Sequence, residues 1–301
     1  ALGAVVIPDS VTVLGEATLA GSGVTAITVG SGVTAIPASF ANACARLAQI
    51  TYTGTVTAIG DAAFTGCVKL ADAALPTGLV TIGAGAFRGA ERLLTVVLPD
   101  SVTTIGARAF EGCSRLVSVT VGAGLADIGG YAFRNCDRLF EVVNHGNTTL
   151  TLKAGNASYG FLTLNATAIR TATAIEKRGD YLWMTEGNVH YLLGYTGNET
   201  ELTLPADDNG VAYEIAPYAF RHADITRVTL GAKTTAIGER AFADSALVEI
   251  TLNKNLKKIG NHAFASTPVR KVEFTGFACT VIGDGAFRDC RALLTLEIKS
   301  D

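Results

Sequence analysis

The histidines and cysteines are the residues whose chemistry could indicate a metal site or a nucleophile. The chain contains six cysteines and four histidines, and thiolate and neutral imidazole are the ligands that zinc prefers. The histidines lie far apart, at His145, His190, His222 and His262. None of them has a cysteine or carboxylate neighbour at ligand spacing, and no two cysteines form a C-x-x-C pair. We therefore predict no metal site and no cofactor.

One glycine-rich segment, Gly83 to Gly89, superficially resembles a phosphate-binding turn. Its glycines belong to a motif that recurs along the chain, and no strand–helix unit of about 30 residues surrounds it. The sequence contains neither a G-x-S-x-G nucleophile elbow nor an H-E-x-x-H zinc helix. We therefore predict that the protein is not an enzyme.

Phenylalanine recurs at a nearly constant spacing along the chain. The recurring residues, each preceded by alanine or serine, are Phe40, Phe64, Phe87, Phe110, Phe133, Phe220, Phe242, Phe264 and Phe287. Successive steps are 22 to 24 residues, except for a step of 87 between Phe133 and Phe220. A fixed period in this range is typical of a solenoid, in which short repeats stack on one another.

Each repeat combines an apolar turn with a short alternating run. In the copy from Ile105 to Val121, Ile-Gly precedes the phenylalanine and Ser118 to Val121 alternate in polarity, which is the pattern of a half-buried strand. One copy is too short to bury its own apolar side chains, so we expect neighbouring copies to share a core. The predicted core residues of this copy are Ile105, Phe110, Cys113, Leu116, Val119 and Val121.

The glycine after the aliphatic residue recurs in most copies, which suggests a backbone position with positive φ. However, Pro37 and Ala216 occupy the same slot in two copies, and proline is fixed at a φ of about −65°. We therefore interpret the slot as a tight turn that prefers a small residue, rather than as a left-handed position.

Most cysteines follow the repeat. Cys67, Cys113, Cys136 and Cys290 stand three residues after a repeat phenylalanine, Cys44 stands four after, and Cys279 is out of register. Alanine fills the same slot in other copies, so the slot suits a small buried hydrophobic side chain. We expect free core thiols, and a disulfide between stacked neighbours such as Cys44 and Cys67 is the alternative.

The motif I-G-x-x-A-F-x-G-C-x-x-L-x-x-V-x-L-P, seen from Ile105 to Val121 and from Ile59 to Pro76, resembles the BspA-like class of leucine-rich repeats, also called the Treponema pallidum type. The resemblance covers about three quarters of the chain. It implies an α/β-type repeat solenoid, a right-handed superhelix with parallel strands on the concave face and short helices or turns elsewhere. It also implies a surface protein of a host-associated bacterium with a role in adhesion and protein binding.

Composition argues against several other classes of protein. The net charge is −3 and lysine and arginine do not cluster, so we expect no nucleic-acid partner. No run approaches 18 consecutive apolar residues, so we expect no transmembrane segment. A signal peptide is not recognisable after Ala1. We expect a monomeric, mature or excised portion of a longer protein that is extracellular or at the cell surface.

The long step between Phe133 and Phe220 contains an insert, roughly residues 144–211. Two apolar arms within about residues 181–195 flank a three-residue turn with glycine, which predicts a β-hairpin. The hairpin either closes the first block of repeats, with Trp183 buried against the stack, or presents its aromatic residues to a partner, since Trp and Tyr are common in binding hot spots. The residues of this possible patch are Tyr181, Trp183, Tyr191 and Tyr195.

Outward-facing strand residues are the other candidate site, because solenoids use their concave faces as extended binding surfaces. If Val119 and Val121 point inward, Ser118 and Thr120 point outward. Carrying this register along the chain gives Gln49, Asp72, Thr95, Ser118, Thr120, Glu141, Arg227, Glu249, Lys271 and Glu273. Threonine also suits any solvent-facing strand position through its β-propensity alone, so an inert strand surface remains the alternative.

These observations predict an N-terminal repeat block at residues 1–143, the insert at 144–211 and a C-terminal block at 212–301, together one continuous solenoid. We expect a non-catalytic cell-surface or secreted module that binds a protein, such as a host extracellular-matrix or surface protein. The alternative is a structural spacer that displays another domain of a longer protein.

Overall fold

The chain forms two compact units, residues 1–173 and residues 174–301, called unit 1 and unit 2 below. The computed structural model describes residues 3–146, 150, 160–164, 166, 168–274 and 279–297. The boundary between the units lies within the segment 144–211 that the sequence assigns to an insert. Part of that segment, including residues 151–159, lies outside the described residues.

Unit 1 is a stack of short parallel strands. They are β1 (Ala4–Ile7), β2 (Ala26–Val29), β3 (Ala35–Ile36), β4 (Gln49–Tyr52), β5 (Ala58–Ile59), β6 (Thr81–Ile82), β7 (Thr95–Val97), β8 (Thr104–Ile105), β9 (Ser118–Val121), β10 (Asp127–Ile128), β11 (Glu141–Asn144) and β12 (Ala168–Arg170). They form three sheets with the orders β1-β2-β4, β10-β8-β6-β5-β3 and β12-β11-β9-β7. Successive repeats pair in parallel register, as expected for a solenoid.

Unit 2 repeats this arrangement and begins with a hairpin. Its strands are β13 (Ile175–Arg178), β14 (Tyr181–Glu186), β15 (Val189–Tyr195), β16 (Glu201–Thr203), β17 (Tyr213–Ile215), β18 (Arg227–Thr229), β19 (Thr234–Ile237), β20 (Glu249–Leu252), β21 (Lys258–Ile259), β22 (Lys271–Phe274), β23 (Val281–Ile282) and β24 (Thr295–Glu297). The sheet orders are β13-β14-β15-β17-β19-β21-β23 and β16-β18-β20-β22-β24.

The predicted hairpin is present as the antiparallel pair β14 and β15. Strand β13 pairs antiparallel with β14, and β15 pairs in parallel with β17 of the first C-terminal repeat. The block that the hairpin extends is therefore the C-terminal one, whereas the sequence pointed to the N-terminal one.

The turns that carry the phenylalanines are not helical, which corrects the expectation of short helices. No helix is formed in the described part of the chain. Ala62 and Gly66 have φ values of 52° and 74°, in the left-handed region that an α-helix does not contain. The N–H groups of Ala62, Phe64 and Gly66 donate to carbonyls of the next repeat, at 2.7 to 2.8 Å. The turns are therefore held by hydrogen bonds between repeats.

The phenylalanines form a stacked column in each unit. Ring centroids are 5.1 to 5.4 Å apart from Phe64 to Phe133 and 5.0 to 5.5 Å apart from Phe220 to Phe287. Phe40 instead meets Phe64 edge-on, at 87°. Ala41 makes the inter-repeat hydrogen bond that Phe64 makes in the next copy, so Phe40 lies one position out of register.

The predicted core residues are buried. Their exposed fractions do not exceed 1% in the copy that contains Ile105, Phe110, Cys113, Leu116, Val119 and Val121. The inward residues of all the repeats of unit 1 join one continuous hydrophobic cluster. The periodicity of the sequence therefore identified the core correctly.

Close packing between repeats explains the glycine slot. A Cβ atom on Gly106 would lie 2.4 Å from the backbone N of Ala84 in the preceding repeat, closer than real Cβ contacts. The φ of Gly106 is not in the left-handed region, which confirms the interpretation as a tight turn. Ala216 occupies the same turn position in unit 2. The preceding strand there is β15 of the hairpin, and the Ala216 N–H donates to the carbonyl of Leu192 in that strand. In the described part of unit 2, no repeat turn precedes Ala216 as one precedes Gly106.

All six cysteines are free thiols. The thiol of Cys113 donates to the carbonyl of Phe87, and that of Cys136 to the carbonyl of Phe110, at 3.4 and 3.3 Å. Each bond reaches back to the preceding repeat. Burial raises the pKa of Cys67 to about 12, so this thiol is not poised for reaction as a thiolate.

Candidate binding surfaces

The outward strand positions lie on one sheet in unit 2 and on two in unit 1. The strand face of unit 2 is the outer side of β16-β18-β20-β22-β24. The strand face of unit 1 is the outer side of β1-β2-β4 and β12-β11-β9-β7.

The strand face of unit 2 carries a row of exposed charges. Parallel register aligns Glu201, Arg227, Glu249 and Lys271 on successive strands. The Arg227 guanidinium is 3.0 Å from the carboxylates of both Glu201 and Glu249, and the hydrogen bond with Glu249 is the main cause of a raised Arg227 pKa. Between 45% and 61% of each of these three side chains is exposed.

The next strand of unit 2 continues this charged surface. Lys271 pairs with Glu273 of the same strand, and the two side chains are 47% and 40% exposed. Four of the predicted contact residues, Arg227, Glu249, Lys271 and Glu273, therefore lie together on one open surface.

In unit 1 the expectation that Ser118 and Glu141 face solvent is wrong. Ser118 is 5% exposed and Glu141 is fully buried. The Glu141 carboxylate accepts hydrogen bonds from Ser118 Oγ at 3.0 Å and Thr173 Oγ1 at 2.6 Å, and it lies 3.5 Å from Arg170 Nε. The chain returns beside β11 as β12 and brings Arg170 and Thr173 over these two positions. Neither residue is accessible to a partner.

The remaining predicted residues of unit 1 are accessible to different extents. Gln49 and Thr95 are exposed, and Thr120 is half-buried. Asp72 is exposed but does not lie on a strand, because residues 71–75 are irregular.

Local sequence explains why the strand ladder of unit 1 is interrupted at residues 71–75. The residues Asp72, Ala73 and Ala74 occupy the positions of Gln49-Ile50-Thr51 and Thr95-Val96-Val97 in the adjacent repeats. Aspartate and alanine are poor strand formers, whereas β-branched residues favour strands. Ala74 has a φ of 45°, and its N–H donates a hydrogen bond to the carboxylate of Asp72 at 2.8 Å. The segment forms a local turn instead of a strand.

This interruption opens a cleft of about 590 Å³ between β4 and residues 71–78. Gln49, Thr51, Tyr52, Asp72 and Leu75 contribute to its walls. The structure therefore brings together Gln49 and Asp72, two of the predicted contact residues. The Tyr52 hydroxyl is buried without a hydrogen-bond partner, and burial raises its pKa well above the ordinary value.

The hairpin of unit 2 does not present all of its aromatic residues. Trp183 is 3% exposed and Tyr195 is 6% exposed, so neither can belong to an exposed recognition patch, which corrects that expectation. Trp183 packs edge-on against Tyr213 of β17, with centroids 5.0 Å apart. Tyr181 and Tyr191 are half-buried. The interpretation of Trp183 as a packing residue is confirmed.

One polar cluster in unit 2 was not foreseen from the sequence. The buried carboxylate of Asp208 forms an ion pair with Arg178 and lies 2.5 Å from Nδ1 of His190. Burial alone would raise the pKa of Asp208, but hydrogen bonds from Arg178 and His190 outweigh it and lower the pKa below its ordinary value. The three residues come from separate strands and a loop, 18 and 30 positions apart, so no local motif reveals them.

The described residues provide neither a metal centre nor a membrane-spanning helix. No group of three or more His, Cys, Asp or Glu side chains there could hold a metal ion. The same residues include no helix with the length and apolarity needed to cross a bilayer.

Comparison with known proteins identifies the repeat. The family model described as BspA type leucine-rich repeat region matches in six copies, over residues 1–98, 80–159 and 213–301. A search of curated proteins finds no match.

Solved structures of similar chains come from several bacteria. A leucine-rich-repeat protein of T. pallidum is 29% identical, with 52% of this chain and 77% of that chain covered and a TM-score of 0.46. A leucine-rich cell surface protein of Faecalibacterium prausnitzii A2-165 is 21% identical, with 96% and 86% covered and a TM-score of 0.38. A leucine-rich-repeat protein of Bacteroides ovatus ATCC 8483 is 23% identical, with 96% and 85% covered and a TM-score of 0.38. With its repeats matched over most of its length, the chain belongs to the BspA-type leucine-rich-repeat family.

Proposed function

We propose that the protein is a non-catalytic adhesion module that binds a protein partner through the strand face of unit 2. The observation that carries this proposal is the exposed row of Glu201, Arg227, Glu249 and Lys271. Leucine-rich repeats of this family serve as protein-interaction modules.

The row is suited to recognition because its geometry is fixed. Neighbouring strands lie about 4.8 Å apart in a sheet, so the register places alternating charges at regular intervals. Since the underlying residues Val228, Ile250 and Val272 are almost fully buried, the backbone beneath the row is rigid. Charge patterns of this kind give specificity and faster association more than raw affinity.

The partner that we propose is a host extracellular-matrix or cell-surface protein, met outside the cell. This location and partner class rest on the resemblance of the repeats to those of bacterial surface proteins. The exposed charges support a partner surface with alternating charges of its own, rather than a nucleic acid, since the net charge of the chain is −3.

The test uses purified fibronectin, laminin and collagen immobilised on sensors, with the full chain as analyte. For a protein that binds, we expect the double change Arg227→Glu and Lys271→Glu to weaken binding at least tenfold. Lys258→Glu is the matched control, because Lys258 is exposed but lies on the other sheet of unit 2, and we expect it to change the affinity less than twofold. Equal loss from both variants would contradict recognition by the strand face.

A structural spacer is the second candidate function. It is favoured by the pairing of Arg227 with two carboxylates of its own face, because a row whose charges already neutralise one another is satisfied without a partner. Absence of saturable binding to every immobilised protein in the same assay would support the spacer and overturn the adhesion proposal.

A further inference from the structure

The open edge of β4 in unit 1 points to a second binding site with a different mode of recognition. In an uninterrupted part of the ladder, the N–H of Leu98 donates to Thr120 of the next strand at 2.9 Å. Tyr52 is the counterpart of Leu98 two repeats earlier, and the segment 71–75 that should pair with it forms no strand. Alternate residues of β4 therefore direct backbone groups away from β2 and into the cleft.

The edge of β4 that faces residues 71–75 has no partner strand in the described structure. Strand β4 pairs with β2, and β7 pairs with β9, but no pairing is formed between either strand and residues 71–75 in the described structure. Exposed edges of this kind accept an extended chain as an additional strand, with backbone hydrogen bonds supplying affinity. Natural proteins usually protect such edges with charges, proline or covering loops, yet this one faces a cleft.

The walls of the cleft restrict what can bind there. Asp72 is the single charged residue among the described residues that line it, and Gln49, Thr51 and Thr55 are polar and neutral. A cationic side chain beside the edge of β4 would therefore form an ion pair with the Asp72 carboxylate. The volume of about 590 Å³ lies within the range of pockets that hold small ligands.

We propose that the cleft of unit 1 binds an extended polypeptide segment that carries a basic residue, as an additional strand along the open edge of β4. The backbone of the segment pairs with β4, and its basic side chain meets Asp72. This site lies in unit 1 and does not depend on the charged row of unit 2, so the two proposals succeed or fail separately.

The direct test is a titration of the full chain with the synthetic peptide acetyl-Lys-Thr-Val-Thr-Val-Thr-amide, followed by amide NMR shifts of the ¹⁵N-labelled protein. We expect saturable binding, with shifts concentrated in residues 48–55 and 71–78. A second peptide with alternate backbone amides N-methylated on the pairing edge cannot form the strand ladder, and we expect it to bind at least tenfold more weakly. Equal binding of the two peptides would overturn the proposal.

Two variants separate the roles of the edge and of the charge. The triple change Asp72→Ser, Ala73→Val and Ala74→Thr copies Ser118-Val119-Thr120 into the gap; we expect it to restore the missing strand and abolish peptide binding. Asp72→Asn removes the charge alone, and we expect a three- to tenfold loss for the basic peptide and no loss for its Lys→Gln version. Asp127→Asn is the matched control, since Asp127 is exposed on the other sheet of unit 1.

Each other outcome of these experiments also supports or overturns peptide binding at β4. If the triple variant does not fold, the N-methylated peptide and Asp72→Asn still provide the test. Absence of saturable peptide binding overturns the proposal, and concentration-dependent self-association that protects the β4 amides in its place would identify a second copy of this chain as the occupant. Shifts confined to unit 2 would likewise contradict it.

Discussion

The strand faces of the two units share a parallel register but expose different chemistry. In unit 2, five strands pair without interruption and carry a row of exposed charges, in which Arg227 pairs with both Glu201 and Glu249. In unit 1, the ladder is interrupted at residues 71–75, and two of its outward positions are covered by the returning chain. The same repeat therefore produces a charged surface in one unit and an open edge beside a cleft in the other.

A matched pair of residues shows what decides this difference. Glu141 and Glu249 both begin a strand at the same outward position of the repeat. Glu141 has no exposed side-chain area, whereas Glu249 is 45% exposed. The position in the repeat sets the direction of the side chain, but the segments that pack over the sheet set its access to solvent.

The largest expected effect comes from Glu141. Replacement by alanine leaves Arg170, Ser118 and Thr173 without their shared carboxylate, and removing one member of a buried polar group is costly. We expect the free energy of unfolding to fall by about 3 kcal/mol, measured by chemical denaturation. A loss below about 0.5 kcal/mol would indicate that the side chain is solvated and that the two strand faces do not differ in this way.

Unit 2 also buries a carboxylate, but beside the hairpin instead of on its strand face. Asp208 has a lowered pKa because Arg178 and His190 stabilise its charged form. The lowered folded-state pKa contributes stability that is present above the unfolded value, about 3.9, and is lost as the pH falls through the folded value. We expect Asp208→Asn to cost about 2 kcal/mol at pH 7 and to flatten the fall in Tm between pH 5 and pH 2. A variant that keeps the acid slope of the parent would contradict this assignment.

The hydroxyl groups of two tyrosines, one in each unit, are expected to affect stability in opposite directions. Tyr52 beside the cleft of unit 1 has a hydroxyl without a partner, whereas the Tyr213 hydroxyl in unit 2 donates to the carbonyl of Pro205 at 2.7 Å. We expect Tyr213→Phe to lower the free energy of unfolding by about 1 kcal/mol and Tyr52→Phe to leave it unchanged or raise it slightly. Calorimetry on the two variants measures both. Equal losses would show that Tyr52 has a hydrogen bond.

The smallest expected effect concerns the row of unit 2. Exposed ion pairs contribute little to stability because water and salt screen them. We therefore expect Glu249→Ala to change the free energy of unfolding by less than about 0.5 kcal/mol, with the change disappearing in 1 M NaCl. A cost close to that of Glu141→Ala would remove the contrast between the two faces.

The core could be predicted from the sequence because it repeats. Phe110 and its neighbours recur every 23 residues, so stacking alone implies that they are buried together. The absence of helices was harder to foresee, since alanine and phenylalanine do not themselves indicate the left-handed φ values of Ala62 and its counterparts. Only the hydrogen bonds between adjacent turns reveal that geometry.

The surface could be predicted less well, for reasons that differ between sites. The gap at Asp72 left a signal, because this copy alone has no Val, Ile or Thr from its first to its fourth strand position. The burial of Glu141 has no local sequence signal, because Glu141 is covered by a segment about 30 residues later that folds back over the strand. The pairing of His190 with Asp208 likewise depends on tertiary structure.

Amide hydrogen exchange at Tyr52 tests the contrast between the two faces most directly. Leu98 in unit 1 and Leu230 in unit 2 donate their N–H groups to the next strand at 2.9 Å, whereas the missing strand leaves Tyr52 at an open edge. We predict that the Tyr52 amide exchanges at least a hundredfold faster than those of Leu98 and Leu230 in the free protein, and that it becomes protected when the basic peptide binds. Equal protection of all three amides in the free protein would show that the ladder of unit 1 is closed and would contradict the account.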